Sequence, residues 1–134
     1  MITIGLFDHR LPDRFWDRII PEPNSGCWLW TGGGSVYGVY WRDGKSVGAH
    51  VAAFEALVSP IPAGLELDHR CRFQLCCNPM HLEAVTHEVN AQRRSAAITH
   101  CPNGHQLTSI VNNAGRRWCR VCHRDRARAK RAAI

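Results

Sequence analysis

The residues best equipped for chemistry stand close together in LDHRCRFQLCCNPMHLEAVTHEVNAQRR, residues 67–94. Asp68 and Asn90 offer hard oxygen donors suited to Mg²⁺ (or Mn²⁺), an ion that takes few protein ligands and keeps places for water and phosphate. His69 carries an imidazole of unperturbed pKa about 6.5, able to take a proton from water near neutral pH. If the flanking segments fold onto one another, these three side chains make a one-metal site for hydrolysing phosphodiester bonds.

A second chemistry is carried by Cys and His. Cys71, Cys76 and His81 are evenly spaced in or beside a long loop that needs an anchor, and Cys27 further upstream completes four ligands for a Zn²⁺. Cys77 adjoins Cys76, and adjacent side chains point apart, so it reads as a buried small hydrophobe. Cys101 and His105 form one close pair and Cys119 and Cys122 another, with thirteen residues between them. That is the pattern of a second tetrahedral Zn²⁺ site, with His100 and His123 as substitute ligands. The tail has few apolar residues, and bound zinc would have to fold it.

The elements that must position these groups can be read around them. Residues 11–20 suggest a short helix, and CWLW a strand running into glycines. Asp43-Gly44 joins residues 36–42 and 45–49 as a hairpin, and a helix fits about 49–58. From residue 64 the order is strand (GLELDHR), long loop, strand (HLEAV), then a helix capped by Thr86. Composition changes near residue 100, which divides the chain into 1–99 and 100–134.

Read together, the Asp-His pair, the Asn-Pro/His loop and the later Asn resemble the ββα-metal (HNH) nucleases. His69, Cys71, Cys76, His81 and Asn90 are similar in spacing to the His-Cys box homing endonucleases, and GCWLWTG, IPAGLELDHRC and CNPMHLE to phage and intron-encoded HNH proteins. The resemblance spans roughly residues 11–95. It implies an α+β fold: a small zinc-stapled ββα-metal nuclease core with a β-hairpin and a C-terminal zinc-binding module. It implies His69 as general base, Asp68 and Asn90 as Mg²⁺ ligands, and Cys27, Cys71, Cys76 and His81 as structural zinc ligands. Relatives place an arginine in the hairpin against the scissile phosphate, and Arg42 is the candidate here. His50 reads as a core residue. The implied reaction leaves 5′-phosphate and 3′-hydroxyl ends.

Charge points to the substrate. The formal net charge is +6, and it is unevenly placed: residues 1–100 hold nine Lys/Arg against ten Asp/Glu, whereas residues 101–134 hold eight against Asp125 alone. On a helix, Arg120, Arg124, Arg128 and Arg131 form one cationic stripe suited to phosphates of double-stranded DNA. Tyr40, Arg42 and Lys45 give the hairpin a second surface for DNA. A homodimer and a monomer fit the sequence nearly equally. A non-catalytic zinc-dependent DNA-binding protein, or a nuclease acting on RNA, are the alternatives. No apolar run approaches the ~20 residues that cross a bilayer, and charged residues break the start of the chain where a signal peptide is apolar. The expectation is a cytoplasmic protein without a membrane partner.

Overall fold

The computed structural model describes residues 4–107 and 117–134. The described chain divides into two compact units, one ending at Asn90 and the other beginning at Ala91. It is α+β, with every strand in a two-stranded antiparallel ladder.

The first unit opens with a single helical turn, α1 (Asp13–Trp16), followed by β1 (Ile19–Pro21) and β2 (Trp28–Trp30). The expected helix over 11–20 is thus cut short. Ile19 and Ile20 leave it to pair with Trp30 and Leu29. β-Branched residues ahead of a proline gain more from a ladder than from a helix that Pro21 must end. The hairpin forms as expected, with β3 (Val39–Arg42) and β4 (Lys45–Gly48) meeting at Asp43-Gly44. Both turn residues have positive φ, 51° and 76°, the conformation that a two-residue turn of this hand demands. α2 (Ala49–Leu57) follows directly.

Leu11, Phe15, Trp16, Trp28, Trp30, Tyr40 and the alanine face of α2 close into one core. Phe15 lies 5.2 Å from both Trp30 and Tyr40, edge-on to the tyrosine. Such offset and edge contacts favour aromatic pairs beyond simple burial. Gly38 is required here, because a Cβ would stand 2.4 Å from the Trp30 indole. Cys77 is 1% exposed within this cluster, and burial pushes its thiol up, so it behaves as the small hydrophobe its neighbour Cys76 led us to expect.

Next come β5 (Leu65–His69), a loop ending in a 3₁₀ turn (Pro79–His81) that packs on α2, β6 (Leu82–Thr86) and α3 (His87–Ala97). β5 and β6 pair antiparallel with Asp68 opposite Glu83 and His69 opposite Leu82. Thr86 ends β6 and caps α3, its hydroxyl accepting from the Val89 amide at 3.3 Å. In the second unit, α4 (Arg120–Ala132) starts at a Cys119 cap.

A candidate metal-dependent nuclease site

His69 ends β5 and is 6% exposed. Its Nε2 lies 3.0 Å from the Cys76 carbonyl oxygen. A carbonyl can only accept, so Nε2 carries the proton and Nδ1 keeps its lone pair. Burial lowers the pKa of the ring, outweighing the Cys76 carbonyl and the Asp68 charge, and leaves it neutral near pH 7. Tyr37 lies nearly parallel to it at 5.9 Å, and the His50 ring stands 4.7 Å away. His50 is pushed down to about 4 by burial first and by His69 second, and its Nδ1 is buried without a partner.

Asp68 is 4% exposed, and the Arg72 guanidinium reaches it at 3.3 Å. A carboxylate so deeply placed requires a cation nearby. Two residues back along β5, Glu66 accepts from Asn90 Nδ2 at 2.5 Å and faces His87 Nδ1 at 3.4 Å. That contact engages the amide nitrogen of Asn90 and turns its carbonyl oxygen, a hard donor, outward from Glu66.

The loop between β5 and β6 is pinned to the first half of the chain. The Trp30 backbone amide donates to the Leu75 carbonyl at 3.0 Å, and the Cys77 amide to that of Trp28 at 2.8 Å. Asn78 bridges the two segments: Nδ2 donates to the Gly26 carbonyl at 2.7 Å while Oδ1 accepts from the Met80 amide at 3.0 Å. The same loop brings together Cys27, Cys71, Cys76 and His81, one ligand atom from each lying within 4.8 Å of every other. His81 Nδ1 is 3.5 Å from both Cys27 and Cys76 Sγ. With metal–sulfur bonds of ~2.3 Å and metal–nitrogen bonds of ~2.0 Å, a tetrahedron has edges of about 3.5–3.8 Å, so the residues fit a zinc-sized ion. Burial pushes the Cys76 thiol up to about 12, and holding it as a thiolate calls for a bound cation. Cys76 thus serves twice, its sulfur in the cluster and its carbonyl on His69.

The second unit holds the other cluster. Cys101, His105, Cys119 and Cys122 meet the same 4.8 Å limit. His105 Nδ1 is 3.3 Å from Cys122 Sγ, and the Cys101 and Cys122 sulfurs are 3.8 Å apart, again tetrahedral edges. His100 turns to the Thr99 hydroxyl and His123 packs edge-on against Trp118. The four ligands read as the tail's two pairs are therefore the ones brought together.

Residues 47–92 match the model of the HNH endonuclease family. The matched stretch contains His69, Asp68, Asn90 and three ligands of the first cluster; Cys27 and the whole second cluster lie outside it. The chain is also 38% identical over 85 residues to "Protein 2.8" of Escherichia phage T7. That similarity takes in 60% of this chain, and the chain spans 57% of the length of the phage protein. No solved structure matches the chain.

Around the HNH segment, several residues expected to touch DNA have other surroundings. Tyr40 is a correction: it is 7% exposed, its ring is part of the core and its hydroxyl accepts from Arg14 Nε at 3.1 Å. Its outward neighbour Trp41 is 60% exposed. Arg42 is paired with Glu55 at 2.7 Å, and Lys45 is exposed at the other side of the turn. Arg120, Arg124, Arg128 and Arg131 are all exposed on α4. Sequence reasoning missed Glu66, Arg72 and Asn78. Glu66 alone left a signal, since it shares the strand face of Asp68 in LELDH. Among the described residues no helix is long and apolar enough to cross a membrane.

Proposed function

We propose that the chain is a metal-dependent endonuclease, of the phage HNH or homing type, that hydrolyses phosphodiester bonds of double-stranded DNA. One observation carries this reading. His69 is held by its Nε2 on the Cys76 carbonyl, in a stretch matching the HNH endonuclease family, with Nδ1 left as a base. Nδ1 takes the proton of the attacking water, and the fixed tautomer spares any reorientation of the ring. Asp68 and Asn90 would hold Mg²⁺ or Mn²⁺, their oxygen donors suiting a hard cation where the thiolate clusters do not. Bound there, the ion supplies stabilisation of negative charge on the scissile phosphate and its leaving 3′ oxygen. Glu66 orients Asn90 for ligation, and Arg72 balances the Asp68 charge.

The two Cys/His clusters would each hold a structural Zn²⁺, the first of them in the His-Cys box manner. We assign residues 1–99 to the nuclease domain and 100–134 to a zinc module whose α4 arginines contact phosphates. Arg42 and Lys45 belong to the hairpin's contribution, with Arg42 exchanging Glu55 for the scissile phosphate.

Nicking of supercoiled plasmid decides the matter. Wild-type protein with Mg²⁺ should nick, EDTA should stop it, and His69→Ala should lower the rate by roughly 10²–10⁴-fold with DNA binding and zinc content retained. Because burial lowers the His69 pKa, the rate should fall in acid only below the ordinary histidine value of 6.5. Unchanged cleavage by His69→Ala would remove the base assignment; binding without nicking would make the protein a DNA-binding module; cleavage of RNA alone would change the substrate.

A further inference from the structure

Alongside β3, a cleft of about 290 Å³ is lined by Arg14, Arg18, Gly32, Gly33, Val39 and Trp41. Its walls differ in chemistry. One is cationic: Arg14 is held over the Tyr40 ring, 5.4 Å from its centroid, and Arg18 is exposed in the turn between α1 and β1. The other is apolar, with Val39 and Trp41 projecting outward from β3 at 44% and 60% exposure while Tyr40 between them faces the core. Between the walls, Gly33 has open space where a side chain would stand. Val39 and Trp41 share the outward face of β3 beside two guanidiniums, on a unit whose residues up to Asn90 carry seven Lys/Arg against ten Asp/Glu.

We propose that this cleft binds one unpaired nucleotide of a DNA strand, its base stacked on Trp41 and its phosphate between Arg14 and Arg18. The volume is near the lower end of small-ligand sites, roughly 300 Å³, which suits a single nucleotide. An indole face accepts any base, and guanidiniums match phosphate in geometry as well as charge. A duplex would keep its bases stacked on each other and leave Trp41 without a partner. The proposal rests on the nuclease reading for its choice of DNA, and it adds that the enzyme grips a frayed, nicked or single-stranded segment.

The test uses the full zinc-loaded chain carrying His69→Ala, so that DNA is bound but not cut. Affinity for a fluorescent oligothymidine and for a blunt duplex is measured over a range of salt. Trp41→Ala should weaken single-strand binding about tenfold or more, the size of one lost base stack, and leave the salt slope unchanged. Arg18→Ala should lessen that slope by about 0.7, one phosphate contact on a single strand. Duplex affinity should change less than twofold in Trp41→Ala. A 5-iodouracil oligonucleotide should photo-crosslink to the peptide that contains Trp41. Single-strand affinity unchanged in both variants overturns the proposal, as does equal loss on duplex and single strand. Neither result touches plasmid nicking by the wild-type enzyme, on which the nuclease reading stands or falls.

Discussion

The two Cys/His clusters have nearly the same geometry and opposite settings. The first joins Cys27 to His81 across 54 positions and sits beside an aromatic core that could hold its shape unaided. The second joins Cys101 to Cys122 across 21, and among the described residues none of the buried core lies beyond Asn90. Closing the longer loop costs only about 0.8 kcal/mol more, because the entropy grows with the logarithm of length. What separates the clusters is therefore what else holds the chain around them. In the body, a metal would refine a structure that packing already makes; in the tail it would have to make the structure.

Removing one ligand from each cluster should split these roles, with the largest effects of any substitution considered. Cys119→Ala takes a ligand and also the cap of α4, since its sulfur accepts from the Cys122 amide at 3.4 Å. Zinc supplies on the order of 10–16 kcal/mol to such small folds, so α4 should melt, as a loss of helical circular dichroism and one zinc per chain. DNA affinity should fall and its salt dependence flatten, while cleavage at saturating DNA persists. Cys76→Ser should do the reverse. The core signal stays, one zinc is lost, and cleavage drops because the loop that presents the Cys76 carbonyl to His69 keeps its backbone ties but loses its metal anchor. A Cys76→Ser protein that lost zinc and still cut DNA would break the link between the first cluster and the base.

Asn78 tests the same link without touching a ligand. Its side chain ties Gly26 to the loop's 3₁₀ turn, and the residue is 9% exposed. Asn78→Ala would leave the Gly26 carbonyl and the Met80 amide without it, a loss of about 1–3 kcal/mol in urea unfolding of the zinc-loaded protein. Cleavage should fall with it, since Cys76 lies two residues upstream. Full activity at reduced stability would show that the loop's position is set by the metal alone.

Much of this site was legible because ligand types repeat at fixed intervals and strands betray themselves by alternation. Both clusters and the β5–loop–β6–α3 order follow from such local patterns. What was not legible depends on partners remote in sequence. Alternation says that half the hairpin aromatics turn inward, but only the packing of Phe15 and Trp30 makes Tyr40 the inward one and Trp41 the outward. Likewise, nothing in CNPMH announces that Asn78 reaches Gly26, nor in LELDH that Glu66 meets Asn90. The early helix was overread for the same reason: Ile19 and Ile20 have an apolar spacing that serves either structure until Trp30 arrives beside them.

A last effect separates the body from the tail by pH rather than metal. His50 has a folded pKa lowered to about 4 from an ordinary 6.5, through burial and then the neighbouring His69. Above pH 6.5 the ring is neutral whether the chain is folded or not, and contributes no pH dependence. Between 6.5 and about 4 the unfolded chain binds a proton that the folded one refuses, so stability is lost as pH falls across that window. At about 1.4 kcal/mol per pKa unit, the loss approaches about 3 kcal/mol as an upper bound. Acid also strips the Cys/His clusters, but it does so equally in wild type and in His50→Asn, where the histidine term is gone. The difference between their urea midpoints should therefore narrow from pH 7 to pH 4, to the variant's advantage. Parallel curves would mean that His50 is wetter than its orphaned Nδ1 suggests, and that the pocket beside His69 is open to water.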